Sequence, residues 1–291
     1  MVNIQLLDAV PWLRRYAGAT FVVKAGGDLV DRPEWRDGIA RDVAALHRLG
    51  VRVVLVHGGG PQLDRAAAER GLAETKVAGR RVTSPELIVV AAEVWRGRVA
   101  LQVVQALARQ GERAASLCGA EAGMIRAVPR PPMVVVDDDG ERRTVDFGRV
   151  GDVERVDPTA LEALLGAGCI PVVTPLAHAA DGSVLNVNAD TVAAAIAVAI
   201  GAQKLVLLTQ APGILGDPDD PTSVLHVTDP AALTALEGQG VFSGGMRPKV
   251  AAIRSALAGG VPRAHVVDGR RSGALLEEVF TNAGSGTLVI P

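Results

Sequence analysis

Short runs of apolar, β-branched residues alternate with helical segments rich in alanine and leucine, and this alternation constrains the fold more than any other feature. The runs typical of buried strands are residues 21–24, 51–56, 170–173, 204–208 and 264–267. The segments typical of helices are residues 34–49, 61–70, 85–110, 158–166, 191–200 and 248–257. Strands joined by helices predict right-handed crossovers and a mainly parallel sheet covered on both faces. We therefore predict an α/β fold, a three-layer αβα sandwich, because the strand–helix repeats are too few for an eight-stranded barrel.

Two segments depart from this alternation. Residues 134–136 and 142–145 flank the sequence DDDG, which predicts a β-hairpin with a tight polar turn. Near the N-terminus, one apolar face of a short helix is indicated by the spacing of Leu6, Leu7, Val10, Trp12 and Leu13. A lone helix of about 12 residues is marginal in water, so this one must pack against something.

The composition excludes several classes of protein. Thirty lysines and arginines against 32 aspartates and glutamates leave a formal charge of −2, so we expect neither a nucleic-acid partner nor a membrane surface. We find no basic-then-apolar leader and no run of about 18 apolar residues that could cross a bilayer. Two cysteines, Cys118 and Cys169, cannot form a disulfide framework and are typical of small buried side chains. We expect a cytoplasmic protein.

Two glycine clusters directly follow predicted strands. The sequence KAGG ends the first strand, and HGGG ends the second, just before a helix that begins near Pro61. The glycines concerned are Gly26, Gly27, Gly58, Gly59 and Gly60. Glycines at this edge of a parallel sheet let backbone N–H groups approach an anion, although each cluster alone could be only a tight strand–helix turn. Neither cluster is a Walker loop or a G-x-G-x-x-G fingerprint.

Two lysines and one aspartate stand at strand and helix ends. Lys24 ends an apolar strand, where it needs an anionic partner or an escape to solvent. Lys249 lies at a helix start, where the helix dipole disfavours a cation, so its charge is expected to serve a nearby anion. Asp190 could be a helix N-cap or could orient both lysines. The five histidines have no metal-ligand spacing, so we expect no protein-bound metal. The sequence has no G-x-S-x-G motif, so we expect no serine nucleophile of that type.

Six motifs in a fixed order resemble the amino acid kinase family over nearly the whole chain. They are KAGG (24–27), HGGGPQ (57–62), GRRVT (79–83), NVNAD (186–190), LLTQAPGIL (207–215) and GGMRPK (244–249). The resemblance implies an N-terminal helix at 1–17, an acceptor-binding lobe at 18–185 and a nucleotide-binding lobe at 186–291. It also implies ATP-dependent phosphorylation of the side-chain carboxylate of N-acetyl-L-glutamate, a reaction of arginine biosynthesis, with Mg²⁺ carried by the nucleotide.

The resemblance also assigns roles to single residues. Lys24 and Lys249 match the lysines that neutralise the migrating phosphoryl group, and Asp190 matches the aspartate that holds them. Arg81 matches the clamp on the α-carboxylate of the acceptor, a bidentate task suited to arginine. With it, the acceptor is expected to contact Gly59, Gly60 and Asn186. ATP is expected to contact Gly26, Gly27, Gly58, Gln210, Gly213, Leu215, Gly245 and Met246.

Departures from the family pattern keep alternatives open. Gln210 replaces an aspartate, Ala25 replaces a larger residue, and CGAEAG at 118–123 replaces a segment with a lysine and an aspartate. Arg149 replaces an aromatic residue beside the acceptor pocket. A kinase for another N-blocked amino acid, aminoadipate or glutamate on a carrier protein, is therefore one alternative. A non-catalytic amino-acid-binding regulator is the other.

The resemblance also bears on assembly. Residues 6–27 resemble the N-terminal helix region of arginine-sensitive family members, in which such helices interlace dimers into a hexamer. We expect a homo-oligomer with a dimer contact through residues 85–110, and a hexamer in preference to a dimer. Glu278 and the glycines at 284 and 286 resemble the arginine site, but Gly273 replaces its histidine, so we expect arginine feedback to be weak or absent.

Overall fold

The computed structural model describes residues 6–73, 75–77, 80–136 and 142–291. Its helices are α1 (Leu6–Tyr16), α2 (Gly27–Asp31), α3 (Pro33–Arg48), α4 (Gly60–Glu69), α5 (Pro85–Ala92), α6 (Ala100–Arg109), α7 (Thr159–Gly166), α8 (Ala189–Ala199), α9 (Pro230–Gly238), α10 (Met246–Ala258) and α11 (Ala274–Phe280). Its strands are β1 (Thr20–Ala25), β2 (Arg52–His57), β3 (Lys76–Val77), β4 (Arg80–Arg81), β5 (Ala114–Cys118), β6 (Ile125–Pro129), β7 (Met133–Val136), β8 (Arg142–Val145), β9 (Gly151–Val156), β10 (Ile170–Thr174), β11 (Leu176–His178), β12 (Val184–Asn186), β13 (Lys204–Thr209), β14 (Val227–Thr228), β15 (Ala264–Asp268) and β16 (Thr287–Val289).

The centre of the molecule is an eight-stranded sheet in the order β14-β16-β15-β13-β1-β2-β10-β5. Every pairing in it is parallel except the antiparallel pair β15–β16. A smaller sheet, β12-β11-β6-β9, lies beside it, and β3–β4 and β7–β8 are separate hairpins. The prediction of an α/β fold with a mainly parallel sheet is confirmed.

The central strands are buried on both faces because helices cover both. In β1 and β2, alternate residues belong to two different cores, since successive side chains of a strand point to opposite faces. Phe21, Val23 and Leu55 belong to the core beneath α3, whereas Val22 and Val54 belong to the core beneath α8 and α10. The same sheet runs through both predicted lobes, because β13, from the second, pairs directly with β1, from the first.

Residues 85–110 form one long helical stretch, but not the uniform α-helix that the sequence predicts. Glu93–Val99, between α5 and α6, is π-helical. A π-helical turn shifts the side chains after it around the helix axis relative to an α-helix. This shift matters because Trp95 and Val99, both buried, lie in it.

The two departures from the strand–helix alternation also form. The hairpin of β7 and β8 is present, and its predicted turn at 137–141 lies outside the described residues. Helix α1 packs on the body through Trp12 and Leu13, which contact the core beneath α3. Val10, predicted on that packed face, is exposed instead; the side chains of Leu6 and Leu7 lie outside the described residues.

Cys118 and Cys169 are both buried and free, as the sequence predicts. Among the described residues, no helix is long and apolar enough to cross a membrane.

Candidate active site

Two lysines and one aspartate meet at the carboxyl edge of the central sheet. Lys24 Nζ lies 2.8 Å from Asp190 Oδ1, and Lys249 Nζ lies 3.4 Å from Asp190 Oδ2. Lys24 is near the end of β1, Asp190 is in the first turn of α8, and Lys249 is in the first turn of α10. Three motifs that are far apart in sequence therefore form one cluster.

Asp190 holds the lysines and is not the N-cap of its helix. Asn188 caps α8 instead, because its side-chain oxygen accepts the backbone N–H groups of Asp190 and Thr191 at 2.8 and 3.1 Å. The capping alternative for Asp190 is therefore wrong. With Asn188 as the cap, the carboxylate of Asp190 is left available to both ammonium groups.

The electrostatics of the cluster favour an anionic ligand. Burial alone would raise the pKa of Asp190, but the charges of Lys24 and Lys249 outweigh it and hold the pKa below its ordinary value. Burial and the charge of Lys24 lower the pKa of Lys249, and the charge of Asp190 opposes that shift. Two cations around one carboxylate leave a net positive charge at a buried sheet edge, where a phosphoryl group would be stabilised.

The two glycine loops pack against each other beside this cluster. A Cβ on Gly27 would lie 2.8 Å from the backbone nitrogen of Gly60, and one on Gly58 would lie 2.7 Å from the nitrogen of Gly27. Both distances are too short for a real Cβ, so only glycine allows the two backbones to approach this closely. Gln62 ties the loops together, since its Nε2 donates to the carbonyl oxygen of Gly27 at 2.9 Å. The result is a cradle of backbone groups at the start of α4.

Trp95 supports the second glycine loop and was not predicted from the sequence. Its Nε1–H donates to the carbonyl oxygen of Gly59 at 2.7 Å, and a Cβ on Gly59 would overlap its ring. The π-helical turn places this side chain against the loop. Its sequence context reads as an ordinary buried aromatic on a helix, so no local signal identifies the role.

His57, next to the same glycines, has a structural role. Its Nδ1 lies 3.0 Å from the carbonyl oxygen of Gly58 and its Nε2 lies 3.0 Å from Thr174 Oγ1. Burial lowers its pKa to about 4, so the ring is neutral at pH 7. A neutral imidazole with both nitrogens engaged fixes the end of β2.

The residues expected to bind the acceptor lie around the first residues of α4 and the end of β12. Arg81, on β4, forms an ion pair with Asp64 of α4. Asn186 Nδ2 donates to Thr83 Oγ1 at 3.1 Å, and the backbone N–H of Asn186 donates to the carbonyl oxygen of Arg149. Asp64 was not predicted, and Thr83 was quoted only as part of the GRRVT motif without a role of its own, because the partners of both residues are distant in sequence.

The residues expected to bind the nucleotide lie on the loop after β13 and at the start of α10. Gln210 is exposed directly after β13, and Gly213 packs so closely against Thr287 that a Cβ would lie 2.7 Å from its Oγ1. Leu215 forms an isolated β-bridge with Val224. At the start of α10, the carbonyl oxygen of Gly245 accepts from Lys249 Nζ at 3.3 Å, and Met246 packs at the edge of the core beneath α8. Gly245 thus directly contacts the lysine cluster.

No metal cage is built into the part of the chain that the structure describes. No group of three or more His, Cys, Asp or Glu side chains there could hold an ion. Asp190, the carboxylate of the lysine cluster, has each oxygen next to a lysine. These residues fit a metal that is held mainly by the phosphates of a nucleotide and by water.

Comparison with known proteins agrees with this geometry. Residues 19–268 match the model of the amino acid kinase family. The chain is 44% identical to the acetylglutamate kinase of Myxococcus xanthus over 98% of this chain and 93% of that protein. It is 40% identical to the acetylglutamate kinase of Moorella thermoacetica over 98% of this chain and 96% of that protein.

Solved structures give the same fold. The N-acetylglutamate synthase of Neisseria gonorrhoeae superposes with a TM-score of 0.82 and 29% identity, over 98% of this chain. This chain spans 62% of the length of that synthase chain. The carbamate kinase of Giardia lamblia superposes with a TM-score of 0.68 at 20% identity over 94% of this chain and 99% of that one, a likeness of fold alone. On the family match and on relatives that are 40% identical or more over nearly its full length, this chain belongs to the amino acid kinase family.

Proposed function

We propose that the chain transfers the γ-phosphoryl group of ATP to the side-chain carboxylate of N-acetyl-L-glutamate, as an acetylglutamate kinase in arginine biosynthesis. The observation that carries the proposal is the cluster of Lys24, Asp190 and Lys249 beside two interlocked glycine loops. Cations beside a cradle of backbone N–H groups are the apparatus that phosphoryl transfer needs. The relatives that are 40–45% identical to this chain are acetylglutamate kinases.

The reaction needs positioning and cations more than a protein base. A carboxylate oxygen of the acceptor attacks the γ-phosphorus, the bond from that phosphorus to the bridging oxygen breaks, and ADP leaves with the electron pair. The acceptor is already ionised at pH 7, so no group has to remove a proton. Lys24 and Lys249 stabilise the charge that spreads over the phosphoryl oxygens, and Asp190 fixes both ammonium groups before the substrates arrive.

The other site residues divide between the two substrates. Arg81 binds the α-carboxylate of the acceptor, and Asn186 contacts the acylated amino group of the acceptor. The N–H groups of Gly59 and Gly60 face the phosphoryl group that is transferred. Gly26, Gly27, Gly58 and the segments at 210–215 and 245–246 hold ATP. When bound with the nucleotide, Mg²⁺ would neutralise phosphate charge. It would be held by phosphate oxygens and water, because both oxygens of Asp190 are paired with lysines.

The proposed assembly is a homo-oligomer. Val89 on α5 and Leu101 on α6 are 56% and 52% exposed in the isolated chain, an apolar surface that a second copy would cover. Together with α1, whose Val10 is exposed, this surface supports a dimer through residues 85–110 that assembles further into a hexamer. We place the enzyme in the cytoplasm, where ATP and biosynthetic amino acids are supplied.

Weak arginine feedback is part of the same proposal. A cavity of about 200 Å³ beneath α1 is lined by Trp12, Lys204 and Glu278, among others. The Glu278 carboxylate is already engaged, because one oxygen lies 2.7 Å from His265 Nδ1 and the other accepts the N–H groups of Ser285 and Gly286. These donors carry no charge, since the pKa of His265 is lowered to about 4, so Glu278 stays anionic. The expectation of weak feedback therefore rests on Gly273, which has no side chain where the resembled arginine site has a histidine.

A coupled ADP-release assay tests the function. With equal concentrations of N-acetylglutamate, N-acetylaminoadipate and free glutamate, we expect turnover on the first to exceed that on the other two by at least an order of magnitude. Faster turnover of N-acetylaminoadipate would assign the chain to the other N-blocked acceptor. ATP binding without turnover of any acceptor would contradict the proposal altogether.

A further inference from the structure

Asp64 lies between two cations that belong to a neighbouring hairpin. It is on α4, one helical turn after Gly60, the last residue of the second glycine loop. Its Oδ1 forms an ion pair with Arg81 Nη2, and its Oδ2 lies 3.2 Å from Lys76 Nζ. Lys76 and Arg81 are directly opposite each other across the antiparallel pair β3–β4. Asp64 thus brings a negative charge between two cations that face each other across the ladder.

The two ion pairs are not equivalent. The side chain of Arg81 is 10% exposed, whereas that of Lys76 is 46% exposed. The pair with Arg81 is therefore less screened by water, and the pair with Lys76 contributes little. The effect of Asp64 is concentrated on the guanidinium group that we assign to the acceptor.

We propose that Asp64 is a positioning residue for acceptor binding, which holds the guanidinium of Arg81 in the orientation that meets the α-carboxylate. This inference rests on the proposed function. Because a guanidinium is planar and rigid, an ion pair at Nη2 restricts the direction of all its N–H donors. The acceptor then meets an ordered arginine, and the rotamer entropy of that long side chain is lost on folding instead of on binding.

Asp64 also couples acceptor binding to the glycine loop. Because Asp64 lies one turn after Gly60 on the same helix, the ion pair with Asp64 sets the position of Arg81 relative to the glycine loop that we assign to the transferring phosphoryl group. The same helix, α4, thereby positions the groups that bind both the α-carboxylate and the reacting carboxylate of the acceptor. Misplacement of Arg81 would weaken acceptor binding without altering the lysines that act on the phosphoryl group.

The test compares Asp64→Asn with Asp31→Asn. Asp31 forms an ion pair with Arg65, the next residue of α4, so its variant removes a salt bridge to the same helix without contacting Arg81. We expect Asp64→Asn to raise the KM for N-acetylglutamate about tenfold while kcat and the KM for ATP stay within about twofold. Asp31→Asn should change none of the three, and thermal unfolding of both variants reports on stability separately.

Two further measurements separate positioning from a general loss of structure. With the α-amide of N-acetylglutamate, which lacks the carboxylate that Arg81 binds, kcat/KM should be the same for Asp64→Asn as for the wild type. In an Arg81→Gln background, adding Asp64→Asn should raise the KM no further.

An equal KM rise for both acceptors, additive effects with Arg81→Gln, or an unchanged KM would overturn the role of Asp64. A wild-type chain that does not turn over N-acetylglutamate would instead overturn the proposed function on which it rests.

Discussion

At the scale of single residues, Asp190 organises the charges of the site. One buried carboxylate contacts two ammonium groups, at 2.8 and 3.4 Å, one from strand β1 and the other from helix α10. Without it, two buried cations would repel each other. The three groups together carry one net positive charge, which in the proposed mechanism stabilises the migrating phosphoryl group.

Replacing either lysine should therefore reduce turnover far more than stability. We expect Lys24→Ala and Lys249→Ala each to lose about 3 to 4 kcal/mol of transition-state stabilisation, a few hundredfold or more in kcat. Circular dichroism and thermal unfolding should show that both variants fold, since each leaves Asp190 with one lysine partner. Variants that keep near wild-type kcat would show that these lysines do not act on the phosphoryl group.

The sequence identifies the charged residues but not how they combine. Lys24 and Lys249 are conspicuous because a lysine at the end of a buried strand or at the start of a helix needs an anion. Their shared partner could not be assigned from sequence, since Asp190 was equally compatible with a helix cap. Asp64 gave no signal at all: an acidic residue on an amphipathic helix is ordinary until the fold brings Arg81 and Lys76 to it.

At the scale of elements, the second glycine loop is fixed between β2 and α4 by the π-helical turn. Trp95 fills the space over Gly59 and donates to its carbonyl oxygen. Five strands of the central sheet (β1, β2, β10, β13 and β15) and most helices were predictable from apolar periodicity, because burial on two faces requires continuous β-branched runs. The other strands of that sheet (β5, β14 and β16) and the smaller sheet β12-β11-β6-β9 were not predicted. The π-helical turn was not, since its residues fit an α-helix equally well.

Two neighbouring glycines should therefore respond differently to alanine. Gly59→Ala places a methyl group against the Trp95 ring and should destabilise the fold by about 1 to 3 kcal/mol, measured by urea unfolding. Gly60→Ala meets open space and should leave stability within about 0.5 kcal/mol. Equal stabilities for the two variants would mean that Trp95 does not restrain the loop.

At the scale of the whole molecule, long-range contacts join the first and last parts of the chain across the continuous sheet. Asp42 on α3 accepts the backbone N–H of Gly273, just before α11, at 3.0 and 2.9 Å. Burial raises the pKa of Asp42 to about 6, although hydrogen bonds from Gly273 and Leu275 oppose the shift. A buried carboxyl with a raised pKa links stability to pH.

The sign of this linkage is fixed by the direction of the shift. Between about pH 4 and 6, Asp42 binds more protons in the folded state than in the unfolded state. The contribution of Asp42 to the free energy of unfolding therefore falls as pH rises. Asp42→Asn removes that dependence. Relative to wild type, its free energy of unfolding should therefore rise by about 2 kcal/mol from pH 4.5 to 7.5. Urea unfolding at both values checks this, and a constant difference would contradict it.

Assembly is tested by removing α1. We expect light scattering to give the mass of a hexamer for the full chain and that of a dimer for a chain lacking residues 1–15. The reason is that exposed Val10, on α1, and exposed Val89 and Leu101, on α5 and α6, are on different helices, so we expect them to form two different contacts between copies. If the full chain is already a dimer, and the deletion leaves the number of protomers at two, the hexamer is ruled out.

Trapping the product with hydroxylamine tests the central claim most directly, because an acyl phosphate reacts with it to give a stable hydroxamate and inorganic phosphate. With ATP, Mg²⁺ and N-acetylglutamate, we predict one hydroxamate formed per ADP released by the wild-type chain, and at least a hundredfold less by Lys249→Ala. ADP release without hydroxamate, or equal hydroxamate from both proteins, would contradict phosphorylation of the carboxylate by the lysine cluster.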